Sequence, residues 1–220
     1  MNSFYDEFMQ IIETENREAS LDFILSKVKN RDLDIVTLYT HILTPSLNTM
    51  VEKPNDVAFI WREHVRSSII RTIIENCYPF VIKEREEKYK IKTDKKVAVV
   101  CPSEEYHEIG ARMVTDFFTL LGYDATFVGS NTPKNEFLQA LNTINFHYIA
   151  LSVSNPYNLI AARKTIETIK EVDSKVKILV GGNAFKHKEN SYLDVKGHIF
   201  IDTFEDIMKL AQEDNHEATI

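Results

Sequence analysis

Cysteine is scarce in this chain, with only Cys77 and Cys101 among 220 residues. The two fall in segments of different pattern, which excludes a disulfide framework and fits a reducing cytoplasm. Long hydrophobic runs are missing too, the apolar stretches falling far short of the ~20 residues that a membrane span needs. No charged segment leading into an apolar one opens the chain, so secretion is not expected. Nor is there an excess of positive charge. Lys and Arg number 26 against 33 Asp and Glu, a net charge of −7, whereas phosphate contacts need clustered cations. The basic residues of 83–96 are interleaved with Glu and Asp and read as a solvated stretch. With no helix-turn-helix pattern either, direct nucleic-acid binding is excluded, and any transcriptional role has to act through a protein partner.

What is present is a chain long enough to bury a sizeable core, as one large domain or two smaller ones. Residues 1–82 read as helical. Phe4, Phe8, Ile11 and Ile12 recur at helical spacing, as do Leu21, Ile24, Leu25 and Val28, then Ile35, Leu38, Tyr39, Ile42 and Leu43. Ser20 and Asp34 stand near helix starts, and Pro45 and Pro54 punctuate the connections. A further helix is expected from about Asn55 or Asp56 through Cys77, continuing past Pro79 after a break, which makes a four- or five-helix bundle. Residues 83–96 are the expected linker. Beyond them, over 97–215, short apolar runs alternate with amphipathic helices. Strands are expected at Val97–Cys101, Asp124–Val128, Tyr148–Ser152, Lys177–Val180 and His198–Ile201. Helices are expected at Ile109–Leu121, Lys134–Leu141, Tyr157–Val172 and Thr203–Gln212, with a weak one after Asn183. This alternation predicts an α/β domain, a flavodoxin-like five-stranded parallel sheet covered on both faces and preceded by the all-α bundle.

Three motifs sit at strand ends of that sheet, where ligands bind in open α/β folds. They are Glu105-Tyr106-His107-Glu108-Ile109-Gly110, then Ser152-Val153-Ser154, then Gly181-Gly182. Each has an ordinary reading: His107 as a surface residue, Ser152 as a solvated strand end, Gly-Gly as a plain turn. Together they put an imidazole where a metal could meet it. His41, His64, His147, His187, His198 and His216 stand in no such pattern and read as structural or surface residues.

Over roughly residues 92–215 the three motifs in this order resemble the cobalamin-binding domain of the corrinoid protein superfamily. The resemblance implies that His107 displaces the dimethylbenzimidazole base and becomes the lower axial ligand of cobalt. It also implies that Glu105 accepts a hydrogen bond from the other ring nitrogen and holds the tautomer. Most members have Asp there, so Glu105 is a departure. Gly110 would let the corrin or its nucleotide tail approach the backbone, Ser152 and Ser154 would bond to the buried benzimidazole, and Gly181 and Gly182 would leave a slot for the tail.

The sequence from Gly110 through Pro133 looks more like the regulatory, light- or cobalamin-sensing branch than the methyl-carrier branch. The helical half resembles the cap that covers the upper face of the corrin, with Trp61 as a cofactor contact or, alternatively, an ordinary bundle-core residue. In the photoreceptors a Glu-His pair follows that Trp; here Arg71-Thr72 stands in its place. The leading expectation is therefore a cytoplasmic cobalamin-binding sensor or regulator, photoreceptor-like and more a binding protein than an enzyme. It would hold the corrinoid base-off and His-on between cap and α/β domain and act through a protein partner, a transcription regulator or a methyltransferase. The alternative is a corrinoid methyl-carrier protein of a methyltransferase system. A third reading is an interaction protein whose pocket has lost cobalamin.

Overall fold

The computed structural model describes residues 2–50, 57–173, 175–185 and 198–217, and the chain divides into two compact units, residues 1–88 and 89–220. The first unit is helical. It comprises α1 (Asn2–Ile12), α2 (Arg17–Lys29), α3 (Ile35–Thr37), a π-helical stretch at Leu38–Leu43, α4 (Thr44–Asn48) and α5 (Phe59–Glu84).

Local chemistry sets these boundaries. The cap of α2 is Asn16, whose side chain accepts the Ala19 amide at 3.0 Å, while Ser20, read from sequence as a helix start, is buried inside the helix and donates its hydroxyl to the Asn16 carbonyl. Asp34 caps α3 by accepting the Thr37 amide at 2.7 Å. The π widening ends just before Pro45, which has no N–H to offer the His41 carbonyl and whose ring would press on it.

Helix α5 shows no break at Pro79. Pro79 lies on its exposed face, where the carbonyl deprived of a donor can turn to water, while Ile69, Ile70, Ile73, Ile74, Cys77 and Val81 form the buried stripe. The expected start at Asn55 or Asp56, like Pro54 and His187, lies outside the described residues. Helix and a second π turn (Arg85–Tyr89) occupy the first half of the segment expected as a linker. Asp34 and Glu84 both lie close to the Lys88 ammonium, at 2.9 and 3.4 Å, and these ion pairs support that turn where a freely solvated linker was expected.

The second unit alternates strand and helix: β1 (Lys96–Val100), α6 (Ile109–Leu120), β2 (Asp124–Gly129), α7 (Lys134–Leu141), β3 (Tyr148–Ser152), α8 (Leu159–Val172), β4 (Lys177–Gly181), β5 (His198–Phe200) and α9 (Phe204–Glu217). All pairings are parallel, in the order β2-β1-β3-β4-β5. That is the flavodoxin-like order expected from the alternation. In place of the weak helix after Asn183 there is a single 3-10 turn, Asn183–Phe185. Ala98 and Val100 of β1, Ile149 and Leu151 of β3, and Ile178 and Val180 of β4 pack with Ala162, Ile166 and Ile169 of α8. Each of the Val, Ile and Leu side chains contributes on the order of 1.5–3 kcal/mol when fully buried.

One polar cluster ties α9 to the sheet. The Asp214 carboxylate is buried and accepts hydrogen bonds from Tyr123 Oη (2.6 Å) and Tyr148 Oη (2.7 Å), with the Lys95 ammonium paired to it. Burial pushes the Asp214 carboxyl up, but the bonds from Lys95, Tyr123 and Tyr148 outweigh it and hold the group below the usual carboxylate range.

Candidate functional site

The strand order reverses between β1 and β3, and in open α/β sheets the crevice beyond the strand ends at that point is where ligands sit. Two loops flank it, residues 101–108 after β1 and 153–158 after β3.

The first loop is laced in place by short-range bonds. The Cys101 amide donates to the Gly129 carbonyl, Thr132 returns its amide to the Cys101 carbonyl, and the Asn131 amide donates to the Glu105 carbonyl at 2.8 Å. Asn131 Oδ1 accepts the Glu104 amide at 2.8 Å. Glu104 and Asn131 both adopt positive φ, 69° and 48°, so this turn is held by its bonds against a conformation that side chains disfavour. Burial, with the nearby charges of Glu105 and Glu108, pushes the Cys101 thiol up to about 12.

Glu105 is the hub. Its side chain is fully buried, and its two oxygens accept five hydrogen bonds. Oε1 takes the His107 amide at 3.0 Å and lies 2.6 Å from His107 Nδ1. Oε2 takes the backbone amides of Ser154 (2.9 Å) and Asn155 (3.0 Å) and the side-chain amide of Asn158 (3.2 Å). Burial alone would raise this carboxyl, but the bonds from His107, Asn155 and Asn158 prevail and bring it down to about 2. Glu105 is therefore ionised throughout the physiological range, and an ionised carboxylate can only accept. A neutral His107 must then carry its proton on Nδ1 and present the lone pair at Nε2, the form in which imidazole ligates metals. The ring is 59% exposed. The longer Glu in place of Asp still reaches the imidazole, because its carboxylate is anchored from the β3 side.

The remaining sequence-selected residues fall as follows. Ser152 closes β3 opposite Gly181 of β4, and Ser154 enters the site through its amide. Gly110 lies in the first turn of α6, where an added Cβ would meet nothing within 4 Å, so the backbone faces open space. For Gly181 and Gly182 the chain itself supplies a reason for glycine. A Cβ at Gly181 would come within 2.4 Å of the Ile201 carbonyl oxygen, and one at Gly182, where φ is +108°, within 2.4 Å of that of Val153. Trp61 is not a bundle-core residue: it lies in the first turns of α5, in the helical unit, and is 69% exposed.

Asn155 and Asn158 were missed in the sequence. The signal was Asn155-Pro156-Tyr157-Asn158 directly after the serine motif: Asn155 caps a 3-10 turn through Tyr157, Pro156 opens it, and the turn delivers Asn158 to Glu105 Oε2 and to the Glu104 carbonyl (3.1 Å).

The arrangement is a single exposed imidazole, oriented from behind by a buried anion, beside an open backbone. A match to the B12 binding domain family covers residues 95–211, just over half of the chain. The chain belongs to the B12-binding domain family. Its cofactor is a cobalamin, and the residues present fit one: His107 turned outward with Nδ1 pinned, and Gly110 leaving room over the start of α6. Among the described residues no three metal-ligating side chains converge, and a metal already held by a macrocycle needs only one such ligand from the protein.

This B12-binding protein is 29% identical over 80 residues to dimethylamine corrinoid protein 2 of Methanosarcina mazei; the match covers 36% of this chain and 37% of that protein, so the chain spans just over a third of its relative's length. In fold it is similar to the monomethylamine corrinoid protein of Methanosarcina barkeri, with a TM-score of 0.75 at 14% identity over 96% of this chain and 98% of that one. It also resembles the methanol:cobalamin methyltransferase complex of M. barkeri, with a TM-score of 0.50 at 15% identity over 96% and 79%. These relatives are named as corrinoid proteins and a cobalamin methyltransferase complex, and none is named as a regulator or photoreceptor, so the expected regulatory, photoreceptor-like branch finds no support among them. The stretch from Gly110 through Pro133 that suggested that branch forms α6, β2 and the following turn. No helix among the described residues is long and apolar enough to cross a membrane.

Proposed function

We propose that the chain is the corrinoid carrier of a methyl-transfer system, with a methyltransferase as its protein partner and a small methylated compound of the methylamine or methanol type as the ultimate donor. The observation that carries this reading is the Glu105–His107 pair, 2.6 Å apart and fixed from the β3 side; the names of the relatives favour the carrier over the sensor. A bound corrinoid supplies a cobalt able to accept and give up a methyl group.

The residues of this chain do the rest. His107 would offer Nε2 to the cobalt. Glu105, acting through His107, fixes the tautomer and raises the basicity of the ring, as carboxylates behind metal-bound histidines do. Asn158 and the amides of Ser154 and Asn155 are positioning groups that keep Glu105 ionised and still. Gly110, Ser152, Ser154, Gly181 and Gly182 would line the approach of the corrin and its tail.

The test is methylation of the hydroxocobalamin-loaded, reduced chain by a dimethylamine- or methanol-specific corrinoid methyltransferase, followed by absorbance. The carrier reading expects partner-dependent methylation that is lost in His107→Ala. A chain that retains corrinoid but is methylated by neither enzyme, and instead changes oligomeric state on illumination, would return the sensor reading to first place.

A further inference from the structure

At the opposite edge of the sheet from His107, the N-terminal ends of β4 and β5 open a shallow cavity of roughly 360 Å³, lined by Lys170, Lys175, Lys177 and His198 with Val176, Ile178 and Ile199. Lys177 and Gly181 begin and end β4, which puts this cavity on the order of 13 Å along the strand from the Gly181 end.

Its composition runs against that of the chain. The protein carries a net charge of −7, yet among the described lining residues every ionisable group is basic and none is acidic. The basic groups come from three elements: Lys170 from the last turn of α8, Lys175 and Lys177 from the entry to β4, and His198 from the start of β5. Like charges gathered around one concavity repel, and an anion between them relieves that repulsion. The neighbouring acid, Asp173, is turned to its own loop, accepting the Lys175 amide at 2.9 Å. Lys177 is steadied by the Tyr148 ring, 5.8 Å from its ammonium. Of its apolar residues Val176 and Ile178 are buried, and Ile199, at 40% exposure, presents the apolar surface.

We propose that this cavity is a second ligand site, separate from the corrinoid site, for a small organic phosphate: a dianionic head among the lysines and an apolar body against Ile199. A phosphate suits it better than a monocarboxylate because one dianion offsets more of the gathered positive charge, and lysines bind phosphate as point charges without the planar fork that a carboxylate exploits.

The experiment is a titration of the isotope-labelled full chain with phenyl phosphate at constant ionic strength, followed by amide shifts. Inorganic phosphate and benzoate are titrated in parallel. Saturable shifts are expected at residues 175–178 and 198–199, with a dissociation constant at or below ~1 mM and tighter for phenyl phosphate than for either control. The double variant Lys175→Gln/Lys177→Gln, both residues being exposed, should keep its fold by amide spectrum and weaken binding at least ~10-fold. Lys209→Gln, an exposed lysine on α9 away from the cavity, should leave it unchanged. Shifts reproduced by sodium chloride, equal binding in the double variant, or benzoate binding as tightly as phenyl phosphate would overturn the proposal. Because corrinoid plays no part in the titration, its failure is distinct from any failure at His107.

Discussion

Replacing Glu105 by Gln separates charge from shape at the hub of the site. The carboxyl falls from 4.5 to about 2 in the folded chain, and at ~1.4 kcal/mol per unit the ionised form contributes about 3 kcal/mol to the stability of the α/β unit at neutral pH. The group is fully buried, so solvent screening takes little from that figure. Gln keeps the shape but must aim its amide N–H either at the donors from Ser154, Asn155 and Asn158 or at the His107 side, so some donors lose their acceptor either way. The sign follows from the direction of the shift. A lowered folded-state value gives stabilisation that is fully present above the unfolded value and is lost as pH falls from 4.5 toward 2. The gap between wild type and Glu105→Gln should thus be about 3 kcal/mol at pH 7 and shrink by about 2 kcal/mol at pH 3. The single Trp belongs to the helical unit, so tryptophan fluorescence follows the wrong part. Amide exchange at buried strand positions such as Ile149 and Leu179 reports on the right one. A gap below ~1 kcal/mol, or one unchanged between the two pH values, would refute the assignment of Glu105 as a buried, multiply bonded anion.

Gly182→Ala should destabilise the α/β unit by about 2 kcal/mol or more in thermal melts, because φ of +108° and the Val153 carbonyl leave no place for a methyl group. Gly110→Ala, facing open space inside α6, should be neutral or stabilising by up to ~1 kcal/mol without cofactor yet weaken cobalamin retention. Tyr148→Phe removes the 2.7 Å donor to buried Asp214 and should cost about 1.5–3 kcal/mol by denaturant titration at pH 7. That cost should fade as Asp214, held below the usual range, is protonated in acid. Cys101, buried and with its thiol pushed up to about 12, should stay unmodified by a thiol reagent at pH 8 in the native chain and react on unfolding.

Much of this was open to reading from the residues, and the exceptions share a cause. The parallel sheet was legible because β1, β3 and β4 are continuous apolar runs, the mark of strands buried on both faces. The Glu105, His107 and Gly110 cluster was legible because its members lie close in sequence. Asn155 and Asn158 were not, since they reach Glu105 from some fifty residues away through a turn whose purpose only the folded chain reveals. Gly181 and Gly182 were selected for a slot, whereas the Ile201 and Val153 carbonyls that already exclude side chains are tertiary neighbours. The unbroken α5 was misjudged at Pro79 because the burden on a helix depends on which face the proline occupies.

The central claim is that His107 is the lower ligand of cobalt, held for that role by Glu105. It is tested most directly by electron paramagnetic resonance of the chain loaded with cobalamin and reduced to the cobalt(II) state, once with ordinary histidine and once with histidine labelled with ¹⁵N. Ligation by His107 predicts that the nitrogen splitting changes from a triplet to a doublet on labelling and disappears in His107→Ala. A triplet that persists in the labelled protein would mean that the benzimidazole of the cofactor still holds the cobalt, and the account would be wrong.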